Sequence, residues 1–302
     1  MTEEQAYAAF QAIRFASTGG EPVCPSCDCP AYTFKCRKIF KCKNCGKRFS
    51  LTSGTPFASH KLTFGDILYA MAIYSMGAKG TNAIELSHRV NISYKSAFVL
   101  LHRLREAVAQ DADLSPLVGE VEFDCAEVGG YIRPKNVKKL RKDLRKYPYR
   151  SPDKLIVVVA RERKGRARTT IVENISDAKK FIRKVVSRTA TVYCDCGTEW
   201  SDLQAIWDLK RVDHNYSWWT PNAHTNNAES YFAMLRKAQK GVYHRFSSPR
   251  YLHAYTEEMA WRQNVRRQTN SEKYSLVLQA AAVSPISSMK GYWQRHVPKS
   301  AR

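Results

Sequence analysis

Acidic residues are scarce in this 302-residue chain: 27 Asp and Glu stand against 49 Lys and Arg, a formal net charge of +22. An imbalance of that size says little about fold, but it excludes an anionic substrate-repelling surface and points to a polyanionic partner, nucleic acid or an anionic membrane. Long apolar runs are missing as well. None approaches the roughly 18 to 20 residues that span a bilayer, and the stretch from Met1 to Phe15 lacks a signal-peptide layout. The expectation is therefore a cytoplasmic protein with no membrane partner, and nucleic acid is left as the polyanion. Apolar residues make up 44% of the chain and aromatics 11%, enough for one full-sized core with one or two small modules in front.

Nine cysteines in a cytoplasmic chain argue for metal binding over disulfides, and six of them fall between Cys24 and Cys45. Cys24-Pro-Ser-Cys27 is followed fifteen residues later by Cys42-Lys-Asn-Cys45. Two Cys-x-x-Cys knuckles at this separation have the spacing of a zinc ribbon, in which two tight turns each give two thiolates to a tetrahedral Zn²⁺. The ion is expected to be structural, because so small a module buries too little to fold alone. Cys29 and Cys36 read as bystanders, and Phe34, Phe40 and Phe49 as cover for the ion. Lys35, Arg37, Lys38, Lys41, Lys43, Lys47 and Arg48 make the ribbon basic, as a phosphate-contacting module would be.

A short helix is expected over residues 1 to 20, ending at Gly19-Gly20, and Ser50 to His60 reads as a linker by composition. Thr63 caps a further helix with Ile67, Leu68, Met71, Ala72 and Tyr74 on its apolar stripe. Two helices joined at Val90-Asn91-Ile92 follow, and the second carries Tyr94, Lys95, His102, Arg103 and Arg105. This is the pattern of a helix-turn-helix in which Lys95 and Arg103 reach DNA. The domain organisation read from these boundaries is 1–56 for the N-terminal helix and ribbon, 57–112 for the helix-turn-helix and 113–270 for a catalytic domain. A C-terminal tail, 271–302, completes it.

From Leu117 the pattern turns to strands. Three in succession, at 118–123, 155–160 and 168–172, precede a helix at 177–187 capped by Ser176, a strand at 190–194, helical character from Leu203 to Leu209 and a short fifth strand near Arg211-Val212. Helices at 226–238 and 249–262 close the series. That order is the order of an RNase H-like α/β domain. Between the first two strands lies a basic insert, 131–150, with Lys139 and Arg141 among its cations; it is too long for a hairpin turn and reads as a loop that closes on DNA phosphate.

Two of the strand runs, Val118-Gly-Glu-Val-Glu-Phe-Asp124 and Ala190-Thr-Val-Tyr-Cys-Asp195, end in an aspartate. The helix from Asn226 puts Glu229 in its first turn, with Thr225 or Asn226 as the cap and Ala228, Phe232 and Leu235 on the apolar face. Two strand aspartates that become neighbours, approached by a helical glutamate, make an all-oxygen ligand set of the kind that suits Mg²⁺ or Mn²⁺ and in-line phosphoryl transfer. A cysteine nucleophile is the weaker reading, since no histidine is placed in sequence beside Cys125, Cys194 or Cys196.

Taken in order, these blocks resemble the bacterial insertion-sequence DDE transposases of the ISXO-type group. The residues that carry the resemblance are the two cysteine pairs, Ser53-Gly-Thr-Pro-Phe57, Glu120-Val-Glu-Phe-Asp124 with Val128-Gly-Gly130, and His224-Thr-Asn-Asn-Ala-Glu229. Leu235-Arg-Lys237, Gly241-Val-Tyr-His244, Leu252-His-Ala-Tyr255, Glu258 and Trp261-Arg-Gln-Asn264 extend it. The resemblance implies a zinc ribbon and helix-turn-helix ahead of an RNase H-like domain that cuts and joins double-stranded DNA at transposon inverted repeats and target sites. It implies a nucleoid-associated protein working as a homo-oligomer, a dimer or larger, on DNA. By the same resemblance Asp124 and Asp195 are metal-binding aspartates and Glu229 the third acid. Asn226 is the alternative third ligand, and Arg236 with its neighbour Lys237 forms a basic DNA contact. The sequence departs from the group's pattern at Cys125 and Cys196, where an acid often follows each aspartate. The alternative function is a domesticated or inactive relative that only binds DNA, and a third is a nuclease that hydrolyses without joining.

Overall fold

The computed structural model describes residues 1–34, 38–129, 136–141, 154–195, 197–212, 224–243, 246 and 249–289. Cys36, Cys196, His244 and most of the basic insert lie outside the described residues. The chain divides into two compact units, Met1–Ala112 with Arg267–Arg302, and Asp113–Arg266. No helix among the described residues is long and apolar enough to cross a membrane.

In the first unit, helix α1 (Glu3–Arg14) opens on a capping box between Thr2 and Gln5. The ribbon follows as an antiparallel sheet in the order β1 (Ala31–Phe34), β2 (Ile39–Cys42), β3 (Arg48–Ser50). Phe40 and Phe49 are buried and meet at 5.4 Å between ring centroids, so both form part of the ribbon's packing. The presumed linker after it is packed. Leu51, Thr52, Thr55 and Phe57 are buried, the Phe57 ring meets Phe10 edge-on at 5.9 Å, and the Arg14 guanidinium donates to the carbonyls of Leu51 and Ser53. Its Ser, Thr, Gly and Pro content does produce turns, but the two large apolar side chains draw those turns into the core.

Helix α2 (Phe64–Met76) carries its own capping box, Thr63 with Asp66, and a second cap from outside: Glu3 accepts from Phe64 N at 2.9 Å and Gly65 N at 3.1 Å. Helices α3 (Ala83–Val90) and α4 (Tyr94–Gln110) are joined through Asn91, whose left-handed backbone (φ 54°) is the conformation asparagine tolerates at a helix C-terminus. Of the two α4 side chains expected to reach DNA, Lys95 is exposed and Arg103 is half-buried; Tyr94 is exposed as well, while His102 and Arg105 are buried and Arg105 donates to Thr81 O.

The expected C-terminal tail is helical over α8 (Asn270–Val283), started by a capping box between Thr269 and Glu272. It packs on α1, α2 and α4 with Val277, Leu278, Ala280, Ala281 and Ala282 buried. Beyond it, Ser287 and Ser288 donate to the Glu106 carboxylate on α4. The alanine-rich sequence hid this role: small side chains give a weak amphipathic pattern yet allow close helix approach.

The second unit is built on a five-stranded mixed sheet in the order β6-β5-β4-β7-β8, with β4 (Glu120–Gly129), β5 (Lys154–Glu162), β6 (Ala167–Val172), β7 (Thr191–Asp195) and β8 (Asp208–Val212). β4, β5 and β6 pair antiparallel, whereas β7 and β8 run parallel to β4. This is the RNase H-like order read from the sequence. β5 is buried on both sides, as its run of valines requires. Ile156, Val158 and Ala160 face a core closed by helix α5 (Ile175–Val185), while Val157 and Val159 face one closed by helices α6 (Asn226–Ala238) and α7 (Pro249–Asn264). The cap of α5 is Asn174, which accepts from Asp177 N at 2.9 Å; Ser176 lies inside the helix. Residues Thr198–Ala205 form a 3₁₀ segment where helical character was expected slightly later.

The packing of α8 yields a direct test. Leu278→Ala is expected to cost the first unit about 2–5 kcal/mol, the range for truncating a buried leucine, in urea unfolding of the full chain. A loss below about 0.5 kcal/mol, the surface range, would show that α8 is not part of that core.

Candidate active site

Strands β4 and β7 bring the two aspartates together. Their parallel register pairs Glu122 with Tyr193, so two residues further along Asp124 and Asp195 stand opposite each other on the same sheet face. Asp195 ends β7 as expected, but β4 continues to Gly129 on its antiparallel partner β5. Asp124 therefore lies where the parallel pairing runs out, inside a strand held firmly on its other side. Its carboxylate accepts from Cys125 N at 2.7 Å. That of Asp195 accepts from the indole N–H of Trp200 at 3.0 Å, and the Trp200 ring is anchored edge-on against Phe123 at 4.9 Å.

Glu229 arrives on α6, which lays Ala228, Phe232 and Leu235 into the core as its periodicity demands, together with Tyr231 and Ala238. Thr225 occupies the cap position without a side-chain capping bond; its hydroxyl donates to Glu229 Oε1 at 3.1 Å. Neither Thr225 nor Asn226 caps the helix. Glu122 does so from β4: one carboxylate oxygen accepts from Asn227 N at 2.7 Å and Ala228 N at 3.2 Å. Its other oxygen accepts from Asn227 Nδ2 and Arg163 Nε, each at 2.9 Å. His224 Nδ1 stands 3.2 Å from the same oxygen without the alignment of a hydrogen bond. In the sequence Glu122 was one acid in a strand motif, and its spacing of two from Asp124, hence its place on the same face, was the available signal.

Asp124, Asp195, Asn226, Glu229 and Arg236 line one cleft of about 610 Å³ with Ser230, Phe232 and Ala233. Burial pushes the Asp124 carboxyl up to about 6, and the nearby charges of Asp195 and Glu229 push the same way, while Cys125 N–H and the Arg236 guanidinium oppose them. Like charges gathered in a partly desolvated place disfavour the ionised form of Asp124. The donor set is all oxygen and suits Mg²⁺ or Mn²⁺. The three acids share the cleft more loosely than the cysteines share theirs. Among the described residues, Cys24, Cys27, Cys42 and Cys45 are the group whose ligand atoms all lie within 4.8 Å of one another.

Cys125 does not flank this chemistry. Adjacent strand residues face opposite ways, and Cys125 packs with Cys194 into the α5-side core, where burial first and then the charges of Asp124 and Asp195 push its thiol well above the usual range. Three sulfur pairs of the ribbon quartet, Cys24–Cys45, Cys27–Cys42 and Cys27–Cys45, lie 3.5 to 3.7 Å apart. Tetrahedral zinc with Zn–S bonds of about 2.3 Å sets its sulfurs about 3.8 Å apart, so the residues fit a structural Zn²⁺. Cys29 stays outside the quartet and accepts from Asn44 Nδ2.

The expected DNA contacts are spread widely. Arg236 lines the acid cleft with its guanidinium 5.8 Å from the Phe232 ring centroid, and Lys237 is exposed beside it. Lys139 and Arg141 are exposed in the described part of the insert, and Lys95 is exposed at the start of α4. Arg103 is half-buried, and that burial pulls its guanidinium below the ordinary range against the pull of Glu106. Several blocks near the C-terminal end of this unit turn out to be scaffolding. Glu258 and Arg262 form a buried ion pair at 2.7 Å that Tyr243 joins, and Asn264 brackets Ala167 through both N–H and carbonyl.

Two family descriptions match the chain: a transposase zinc-ribbon domain over residues 1–48 and an ISXO2-like transposase domain over residues 116–264. Among solved structures it is similar to one described as the crystal structure of the Mos1 strand transfer complex, at 11% identity over 71% of this chain and 78% of that chain, with a TM-score of 0.27. None of the curated proteins matches it.

The raised Asp124 carboxyl has a measurable sign. Its native pKa of about 6 lies above its ordinary value of 3.8, so it contributes stability at low pH that is lost as pH rises through about 6. Without divalent cation, Asp124→Asn is expected to melt higher than wild type at about pH 7.5, with the gap closing toward about pH 4.5. A variant that melts lower at both pH values would contradict the crowding of the three acids.

Proposed function

This chain belongs to the ISXO2-like family of DDE transposases, and we propose that it binds the inverted-repeat ends of a transposon and breaks and rejoins their strands with Asp124, Asp195 and Glu229. What carries the reading is the convergence of two strand acids and one helical acid on a single cleft, with the Asp124 carboxyl lifted first by burial and then by the charges of the other two. Asp124 and Asp195 would hold Mg²⁺ or Mn²⁺ from the sheet and Glu229 from the helix, with the Asn226 amide as the alternative third donor. When bound, such ions would supply Lewis acidity for a water or 3′-hydroxyl and for the leaving oxygen.

The chain's own residues supply position. Trp200 and Cys125 N–H fix the rotamers of the two aspartates, and the Thr225 hydroxyl holds one oxygen of Glu229. Arg236 projects into the cleft two turns after Glu229, where its guanidinium can pair with a phosphate oxygen of the strand being cut. End recognition falls to the zinc ribbon, whose Lys43, Lys47 and Arg48 are exposed, and to the α3–α4 pair with Lys95 at the start of the second helix. Lys139, Arg141 and Lys237 add phosphate contacts, whereas Arg103 contributes less than the sequence implied because its guanidinium is half-buried. The protein works as a homo-oligomer on paired ends.

Incubation of Asp124→Asn with labelled element ends and Mg²⁺ tests the assignment. Strand cleavage is expected to fall by at least about 10³-fold, the scale of losing a transition-state charge stabiliser, while end binding in a gel-shift assay stays within about twofold. Cleavage that persists would remove the metal assignment. Wild-type chain that binds ends and never cuts them would mark a DNA-binding protein only.

A further inference from the structure

The acid cleft is one half of what strand β4 does; the other half is hidden beneath α6. Glu122 is fully buried and accepts four hydrogen bonds, from Asn227 N and Nδ2, Ala228 N and Arg163 Nε, with His224 Nδ1 3.2 Å away. Its neighbours in the sheet extend the grip. Arg161, directly across on β5, donates to Asn227 O and Ser230 Oγ, each at 2.8 Å. Tyr193, directly across on β7, donates to Glu120 and lies under the Arg163 guanidinium at 3.7 Å. Residue 227 is thus held by its N–H from Glu122 and by its carbonyl from Arg161.

We propose that Glu122 is a positioning residue for the third acid: it registers the start of α6 to strand β4 and so sets where Glu229 stands relative to Asp124. The inference rests on the reading of Glu229 as a metal-holding acid. A helix needs its first N–H groups satisfied, but its own cap residue ordinarily does that. Here Thr225 directs its hydroxyl to Glu229 instead. The acceptor comes from the strand that also carries Asp124, two residues on and on the same face. One short covalent path therefore links the first acid to the anchor of the third. The anionic carboxylate also matches the positive end of the helix dipole, and Arg163 neutralises it locally, so the anchor adds no uncompensated charge to a cleft already crowded with acids.

Glu122→Gln and Glu122→Ala in the full chain separate positioning from mere stability. The glutamine keeps one acceptor for the helix N-terminus; the alanine keeps none. Hydrogen exchange is expected to quicken at the amides of residues 227 to 229 by about tenfold or more in the alanine variant and less in the glutamine variant, with α7 amides unchanged. The Mg²⁺ concentration giving half-maximal end cleavage should rise by about 10- to 100-fold, the usual effect of losing an outer partner of a metal ligand, again with partial rescue by glutamine. End binding should stay within about twofold. A purely structural residue would lower the melting temperature and leave that Mg²⁺ midpoint in place, and this result would overturn the proposal. So would unchanged exchange at residues 227 to 229 in both variants. Asp124→Asn run alongside identifies the other failure: if it cuts normally, the three-acid reading has fallen and this inference with it, while the exchange data still judge whether Glu122 caps α6.

Discussion

A single buried carboxylate holds the second unit's chemistry in register. Helix α6 begins against the sheet, where water cannot satisfy its leading N–H groups, and an unsatisfied buried donor costs about 1–3 kcal/mol. Glu122 supplies the acceptor, but a buried charge is itself costly unless it is paired. Arg163 supplies the pairing, and Arg163 in turn is flattened on Tyr193 and tied to Glu120 and His224 O. Each group is tolerable only because the next one is present. Removing any one of them therefore disturbs the others, and Glu229 sits one residue beyond the point they fix.

The same device recurs in the first unit, where Glu3 of α1 accepts from the first two N–H groups of α2. In both places an acid from one element ends the hydrogen-bond account of another, and fixes an angle between elements that apolar packing alone leaves loose. The acids of the cleft behave differently. Hydrogen bonds reach them from one backbone N–H, one indole N–H and one hydroxyl. Asp124 is pushed up to about 6, by burial first and then by the charges of Asp195 and Glu229. Glu122 is committed to the fold, accepting from Asn227, Ala228 and Arg163, whereas Asp124, Asp195 and Glu229 line a cleft.

Much of this was legible in the order of residues. The cysteine quartet follows from spacing alone, since two knuckles have few ways to present four thiolates. The apolar face of α6 follows from periodicity, and the strand order from the alternation of element types. Other features needed three dimensions. Glu122 looked like one more polar residue in an alternating strand, because sequence does not show that its face is covered by a helix start. The Ser50 to His60 run and the alanine-rich segment after Thr269 have the compositions of a linker and a tail, yet Leu51, Phe57 and Leu278 carry enough apolar area to be drawn into the core. The departure at Cys125 was legible as harmless from the two-residue period of a strand, which turns it away from Asp124 and into the α5-side core.

The central claim is that Asp124, Asp195 and Glu229 close on a common divalent cation. Anomalous diffraction from crystals of the full chain grown with Mn²⁺ tests it most directly. The account predicts a manganese peak within coordinating distance, about 2.0–2.3 Å, of both aspartates and of Glu229 or Asn226, distinct from the zinc peak at the cysteine quartet. Manganese bound elsewhere, with the three carboxylates still apart, would contradict it.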